Sequence, residues 1–219
     1  MKHFLLLLFA TSTLFSQKLE RNLKEFKSIE ITSAMDVELI IADDYKVVAT
    51  GNDTDNLIIE NKNHELDISS SLTKKFNSDI KLKIYYKPGL RHIKLSNNVV
   101  IHSKDILKEN FLEFIAINNI NANLSLETVD LIGEFELGSN IVLKGTTESQ
   151  KIKVLSKSKY KGFAFKSKKA YVKTVASEAE LYVTEFLEAN ARLKGTIIYD
   201  GDPFSVVEKS FLGGIIRKN

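Results

Sequence analysis

A dense run of lysines between residues 151 and 173 carries the most obvious binding chemistry in this sequence. It contains nine lysines and no acidic residue: Lys151, Lys153, Lys157, Lys159, Lys161, Lys166, Lys168, Lys169 and Lys173. Ammonium groups at this density attract anions. Four aromatic residues accompany them, either to contact a ligand or to fill a core: Tyr160, Phe163, Phe165 and Tyr171. This segment, called the lysine band below, is one predicted surface for an anionic glycan or lipid headgroup.

The segment that follows supplies acidic partners for part of the lysine band. Four glutamates follow four of these lysines at one constant interval, which predicts four ion pairs: Lys159–Glu178, Lys161–Glu180, Lys166–Glu185 and Lys169–Glu188. On neighbouring strands such pairs contribute about 0.2–1 kcal/mol each. The lysines without this kind of partner form the predicted anionic-ligand surface: Lys151, Lys153, Lys157, Lys168 and Lys173. A solvated charge ladder and a binding surface therefore both remain open as interpretations.

Residues suited to metal binding are sparse. The three histidines beyond the first residues show no metal-ligand spacing such as HExxH: His64, His92 and His102. The acidic pairs Asp43–Asp44 and Asp53–Asp55 lack the surrounding acidic loop of a calcium site and suit turns better. The sequence therefore predicts no metal site and no cofactor.

Catalytic carboxylates are also poorly placed. Between residues 91 and 200 the only aspartates are Asp105, Asp130 and Asp200. Their separations do not match multiples of the repeat described below, so they do not fall side by side as glycoside hydrolysis requires. We therefore expect that the protein has no catalytic residues and is not an enzyme.

The elements that position these residues follow from a repeat of about 19 residues, a period typical of solenoids. A short polar segment recurs between apolar stretches: 96–101, 116–121, 136–141, 155–160, 174–179 and 192–197. These segments start at nearly equal intervals along the chain. A fixed period in this range indicates one supersecondary unit per repeat, stacked because no unit buries its apolar face alone.

Apolar residues alternate at spacing two inside each repeat, which indicates short strands. The sequence does not show the asparagine ladder of a leucine-rich repeat. The predicted fold is all-β: a right-handed parallel β-helix, or β-solenoid, of about six turns of 18–20 residues, capped by an N-terminal antiparallel or mixed β unit. We expect Leu95, Phe135, Val154 and Leu181 to point into its core.

Two proline-containing pairs, Pro88–Gly89 and Asp202–Pro203, mark the limits of the repeat. The predicted organisation is an N-terminal β cap at residues 17–88, solenoid repeats at 89–207 and a C-terminal tail or closing strand at 208–219. Within the cap, residues 36–41 and 45–50 are rich in β-branched residues and separated by Ala42–Asp44, which predicts a β-hairpin.

The first residues predict export. Residues 1–16 have a basic start, a short apolar core and a small polar exit, as in a secretory signal peptide. That apolar stretch is too short for a transmembrane anchor. The chain has no cysteine, which excludes disulfides and a lipid-bearing cysteine. Its formal net charge of +3 is too small to indicate a nucleic-acid-binding protein.

Several segments resemble the head GIN domain family of auto-transporter adhesins. They are residues 26–31 with 33–38 at the start, 90–96 at the first repeat, 137–140 at a turn, and 179–185, 199–203 and 213–214 towards the end. The resemblance implies a β-solenoid protein of a Gram-negative cell envelope, in the periplasm or at the cell surface. It supplies no catalytic residues to carry over to this chain.

Together these observations predict a non-catalytic, exported β-solenoid with an adhesin-like or scaffold role. Its expected partner is an envelope protein or glycan, and the stacked surface also permits a homo-oligomer. The alternative is a carbohydrate- or lipid-headgroup-binding module that uses the lysine band.

Overall fold

Sixteen β-strands and one 3₁₀ helix (Thr54–Asn56) make up the regular structure of the described residues. The computed structural model describes residues 18–71 and 79–219, so the predicted signal peptide lies outside it. The strands are β1 (Lys18–Asn22), β2 (Ser28–Ile31), β3 (Asp36–Ile41), β4 (Lys46–Thr50), β5 (Leu57–Lys62), β6 (Glu65–Ser70), β7 (Lys81–Tyr86), β8 (His92–Ser96), β9 (Val100–Ile117), β10 (Asn121–Glu136), β11 (Asn140–Leu155), β12 (Lys159–Val175), β13 (Glu178–Arg192), β14 (Thr196–Asp200), β15 (Ser205–Phe211) and β16 (Ile215–Lys218).

Five long strands, β9 to β13, pair in parallel in sequence order and form the middle of the rod. Each occupies the chain between two tight corners. The offset between neighbours is close to the sequence period, as in Asn121 opposite Asn140 and Asn140 opposite Lys159. The predicted parallel β-solenoid is thus confirmed, with about seven turns where six were expected.

Alternating side chains of these strands fill the interior. The four residues expected to point inwards, Leu95, Phe135, Val154 and Leu181, are all fully buried. The rings of Phe114 on β9, Phe135 on β10 and Tyr160 on β12 pack against one another in edge-to-face and tilted contacts, with centroids 5.5 and 5.6 Å apart. Because strand alternation is period two, every second residue joins this core and its neighbours face solvent.

Tight corners connect the two sides of the coil, and they depend on residues in the left-handed region of the backbone. Pairs with positive φ occur at Asn97–Asn98, Asn118–Asn119, Leu137–Gly138, Ser156–Lys157, Leu193–Lys194 and Leu212–Gly213, and Ala176 has the same conformation alone. Asparagine tolerates this region because its side chain can hydrogen-bond locally. Backbone N–H groups of each corner donate to carbonyls of the next corner, as from Asn119 to Leu137.

The corners also contain a short asparagine ladder that the sequence did not reveal. The Asn118 side chain donates to Asn97 Oδ1 at 2.8 Å, and Asn119 donates to Asn98 Oδ1 at 2.6 Å. Asn97 in turn donates to the carbonyl oxygen of Thr32 at 3.1 Å. This short ladder spans only two consecutive Asn–Asn corners among the described residues, so it differs from the asparagine ladder of a leucine-rich repeat.

Replacing Leu137 with asparagine should stabilise the rod by about 1 kcal/mol, because leucine is poorly suited to its left-handed conformation (φ 54°) and its side chain is half exposed. The new amide would also lie one corner beyond Asn118. Urea denaturation of Leu137→Asn beside Leu137→Ala measures the effect, since alanine removes the exposed leucine but keeps the backbone strain. Equal stability of the two variants would contradict the prediction.

Parallel strand pairing joins the N-terminal unit directly to the solenoid. Strands β2 and β3 pair in parallel with β6 and β7 on one side and with β8 and β9 on the other. Antiparallel pairing is confined to β1 with β4, β4 with β7 and β5 with β6 among the described residues. The predicted hairpin of residues 36–50 is wrong: β7 lies between β3 and β4, because β3 takes a place in the parallel ladder.

At the other end the ladder continues past the expected limit of the repeats. Strand β13 pairs with both β14 and β15, and β14 pairs with β16, all in parallel. Strands β15 and β16, which include most of the expected tail or closing strand at residues 208–219, therefore form a further rung of the coil. The first rung of the ladder, formed by β2 and β3, likewise lies within residues 17–88, the segment that was expected to form the cap.

Candidate functional site

Three lysines of the predicted ligand surface come together on β11 and β12. Lys151 lies opposite Tyr171 in the parallel register, and Lys153 lies opposite Lys173. All four side chains are exposed, whereas Ile152 and the other residues between them point into the core. Period-two alternation therefore places three cationic groups and one aromatic ring on a single outer face.

These residues line a shallow groove of about 340 Å³, called the lysine groove below. Its walls are Lys151, Ile152, Lys153, Tyr171, Val172, Lys173, Glu188 and Asn190. Tyr171 is 40% exposed and packs against Phe186, with ring centroids 5.5 Å apart. This contact holds the tyrosine ring in place while one face stays open to a ligand.

The groove keeps a positive charge after its ion pairs are considered. Lys153 Nζ lies 3.3 Å from Glu134 Oε2, and Glu188 is engaged by Lys209 at 2.9 Å. Among the described residues, Lys151 and Lys173 have no carboxylate within ion-pairing distance. Two unpaired ammonium groups therefore flank Tyr171, which suits an anionic ligand.

The other two lysines of the predicted surface lie elsewhere. Lys168 Nζ is 2.6 Å from Glu148 Oε2, and this hydrogen bond raises the pKa of Lys168. Lys157 occupies a corner with φ 64° and lines a separate depression with Lys159 and Lys194. Of the five predicted residues, three therefore line the lysine groove, Lys168 forms an ion pair with Glu148, and Lys157 lies at a corner of the coil.

Only the first pair of the expected ion-pair ladder forms. Lys159 Nζ lies 3.6 Å from Glu178 Oε2. Lys161 lies opposite Glu180 in the register, but no ion pair joins these two side chains among the described residues. The register then shifts between Gly162 and Lys166.

Beyond this shift the expected interval fails. Lys166 lies opposite Tyr182, 5.4 Å from its ring centroid, and Lys169 lies opposite Phe186. The expected stacking of Lys166 on Glu185 and of Lys169 on Glu188 is therefore wrong, because the two strands are offset there by less than one full repeat.

A second groove, of about 750 Å³, lies between the N-terminal unit and the first coil, and sequence reasoning missed it. Glu109 lines it and is only 7% exposed; its Oε2 accepts the Gly89 N–H at 2.8 Å. Burial raises the pKa of the Glu109 carboxyl. Arg91 and Lys108 also line this groove. The only sequence signal for it is the Pro88–Gly89 pair, which was interpreted as a boundary.

Comparison with protein-family models gives one match: residues 25–203 fit the family described as "Putative auto-transporter adhesin, head GIN domain". The chain belongs to this family. No match was found among curated proteins.

Solved structures resemble this head GIN domain over nearly its whole length. A "putative adhesin" of Bacteroides fragilis superposes with a TM-score of 0.88 at 17% identity, covering 94% of this chain and 98% of that chain. A "putative adhesin" of Parabacteroides merdae gives 0.72 at 18% identity, with 93% and 95% covered. A "putative lipid binding protein" of Parabacteroides distasonis gives 0.67 at 19% identity, with 92% and 96% covered. At these identities the likeness establishes the fold.

Histidine and acidic side chains form pairs and not a metal centre in the described residues of this head GIN domain protein. Residues 18–71 and 79–219 contain no cluster of three or more histidine, cysteine, aspartate or glutamate side chains able to hold a metal ion. His92 Nδ1 lies 2.8 Å from Glu113, and His102 Nδ1 lies 3.5 Å from Asp36. No helix within residues 18–71 and 79–219 is long and apolar enough to span a membrane.

Proposed function

We propose that this head GIN domain protein is a non-catalytic, exported, adhesin-like component of the cell envelope, which binds an anionic saccharide through the lysine groove. The family assignment and the signal-like residues 1–16 support the exported, adhesin-like role. The observation that carries the ligand class is the pair of unpaired lysines, Lys151 and Lys173, beside the exposed ring of Tyr171.

The spacing of the groove suits a sugar polymer with regularly placed acidic groups. Neighbouring strands lie about 4.8 Å apart, and residues i and i+2 of one strand lie about 7 Å apart. Lys151, Lys153 and Lys173 therefore present ammonium groups on a grid of sub-nanometre spacing, and the Tyr171 ring offers an apolar face between them. Uronate or sulfate groups of a polysaccharide meet this grid with charge complementarity.

A phosphorylated lipid headgroup is the second candidate, since it carries the same anionic chemistry. The description of the Parabacteroides distasonis structure as lipid binding favours keeping it in the test. The two candidates differ in the form in which the anion is presented, as a soluble polymer or as a membrane surface.

The double variant Lys151→Glu/Lys173→Glu should bind polygalacturonate or dextran sulfate at least about 10-fold more weakly than wild type, equivalent to about 1.4 kcal/mol or more. Binding is measured by calorimetry at two salt concentrations, because screening must weaken a charge-dependent interaction. The matched control is Lys144→Glu/Lys157→Glu, which makes the same charge change at exposed positions outside the groove.

Equal loss in both double variants would show a non-specific charge effect, and no binding by wild type would overturn the saccharide proposal. Vesicles of phosphatidylglycerol and of phosphatidylcholine form the second arm. Binding to phosphatidylglycerol alone, lost in the groove variant but not in the control, would replace the saccharide with a lipid headgroup.

A further inference from the structure

The last rung of the rod, formed by residues 204–218, exposes an unusual amount of apolar surface. Strand β15 is exposed along its whole length. The large apolar residues of the rung and their exposed fractions are Phe204 (90%), Val206 (38%), Val207 (39%), Phe211 (62%), Leu212 (59%) and Ile215 (53%). This rung also lies beyond residues 25–203, the range matched by the family model.

The two ends of the rod differ in how they are covered. At the N-terminal end, antiparallel strands β1, β4 and β5 lie outside the first parallel strands and carry ion pairs such as Lys18–Glu20 and Lys62–Glu60. At the other end, β15 pairs only with β13 and β16 only with β14 among the described residues. Solenoids need a polar capping unit at an end that faces water.

Backbone hydrogen bonding is also incomplete at the last corner of the coil, on the side that faces away from the rest of the rod. The N–H groups of Leu193 and Lys194 donate to the carbonyls of Phe211 and Leu212 at 3.1 Å. The equivalent N–H groups of Leu212 and Gly213 have no acceptor within the described part of the chain. The outer edges of β15 and β16 and the corner between them thus form one continuous, unpaired edge.

We propose that a second copy of this chain docks end to end on the last rung, so that β15 and β16 pair antiparallel with the same two strands of the partner. A two-fold axis between the ends reverses the strand direction and closes the assembly at two copies. A single extended peptide would cover only one of the two strands, whereas a second copy covers both and the corner. A bilayer would leave the edge N–H and C=O groups unpaired, which hydrocarbon does not tolerate.

The size and charge of the rung agree with this occupant. Its six apolar side chains expose roughly 600 Å², close to the ~800 Å² that each partner contributes to a standard interface. Lys209 is paired with Glu188 at 2.9 Å and Lys218 with Asp202 at 2.5 Å, and Glu208 balances Arg217 in formal charge. Two such ends therefore meet without net repulsion between like charges.

Analytical ultracentrifugation of the chain tests the proposal. Wild type should show a monomer–dimer equilibrium with a dissociation constant in the micromolar range or tighter, and Phe211→Lys/Ile215→Lys should weaken it at least about 10-fold. The control Ile106→Lys/Val129→Lys changes two apolar residues that are each 46% exposed on the wall of the rod, and it should dimerise as wild type does. Circular dichroism checks that all three remain folded.

A monomeric wild type at ~100 μM would overturn the proposal, because an interface of this size should associate well below that concentration. Equal loss of dimer in both lysine variants would also overturn it. Co-sedimentation of a monomeric wild type with phosphatidylglycerol vesicles, abolished by Phe211→Lys/Ile215→Lys, would assign the rung to a lipid surface instead. None of these results depends on ligand binding at the lysine groove.

Discussion

Replacing Val154 with aspartate should abolish folding of the solenoid. Val154 is fully buried on β11, between the core positions of the neighbouring coils, and no lysine, arginine or histidine is among the buried side chains of residues 18–71 and 79–219. An unpaired buried charge costs several kcal/mol, which is comparable with the ~5–15 kcal/mol of stability of a whole domain. Loss of the β-sheet circular dichroism signal and rapid proteolysis would report the effect.

The matched control is Lys144→Asp, which introduces the same side chain at an exposed position of the same strand. This variant should keep the wild-type spectrum and unfold within about 0.5 kcal/mol of wild type, as surface substitutions usually do. A folded Val154→Asp protein with near-native stability would mean that position 154 does not face the core.

Replacing Gly145 with alanine should destabilise the rod by about 2–5 kcal/mol, combining backbone strain with steric overlap. Gly145 has φ +113°, a conformation that side chains rarely adopt, and a Cβ there would overlap the carbonyl oxygen of Leu126. Leu126 is its parallel partner on β10, so relief of the overlap has to separate two coils. Urea denaturation measures the loss.

Gly89→Ala separates the two causes. Gly89 has a similar φ of +126°, but a Cβ there would have no atom within 4 Å. This control should therefore lose only the conformational part, about 1–3 kcal/mol. Equal losses of unfolding free energy at the two glycines would show that the close approach of neighbouring coils at Gly145 does not contribute to the destabilisation.

The coil could be predicted from the sequence because its chemistry is periodic. Each turn must bury alternate residues and then reverse, so apolar pairs and polar corners recur at a nearly constant interval along the chain. Buried residues such as Leu95 and Phe135 followed directly from this alternation. The gathering of Lys151, Lys153 and Lys173 on one face has the same cause, although the sequence did not distinguish them from Lys157 and Lys168.

Features that depend on local register could not be predicted in this way. The shift between Gly162 and Lys166 changes which side chains lie opposite one another, and nothing in the charge pattern reveals it. The place of β7 between β3 and β4 is also hidden, because a hairpin turn and a crossing chain have similar composition at Ala42–Asp44. The second groove is lined by both Glu25 and Glu109, which lie several repeat lengths apart in the chain. The periodic pattern therefore does not predict that they are close in space.

The placement of β2 and β3 between strands that come later in the chain has a mechanical consequence. Ser28 is held by Glu65 on one side and by His92 on the other, and both partners come much later in the chain. A force that pulls on the first rung must break two parallel ladders at once and shear both. Within a single chain, the described part of the structure holds the C-terminal rung on one side only, so the same force can peel it away one strand at a time. The rod is therefore held by two ladders at its N-terminal end and by one ladder at its C-terminal end. Under mechanical load we expect unfolding to start at the C-terminal end.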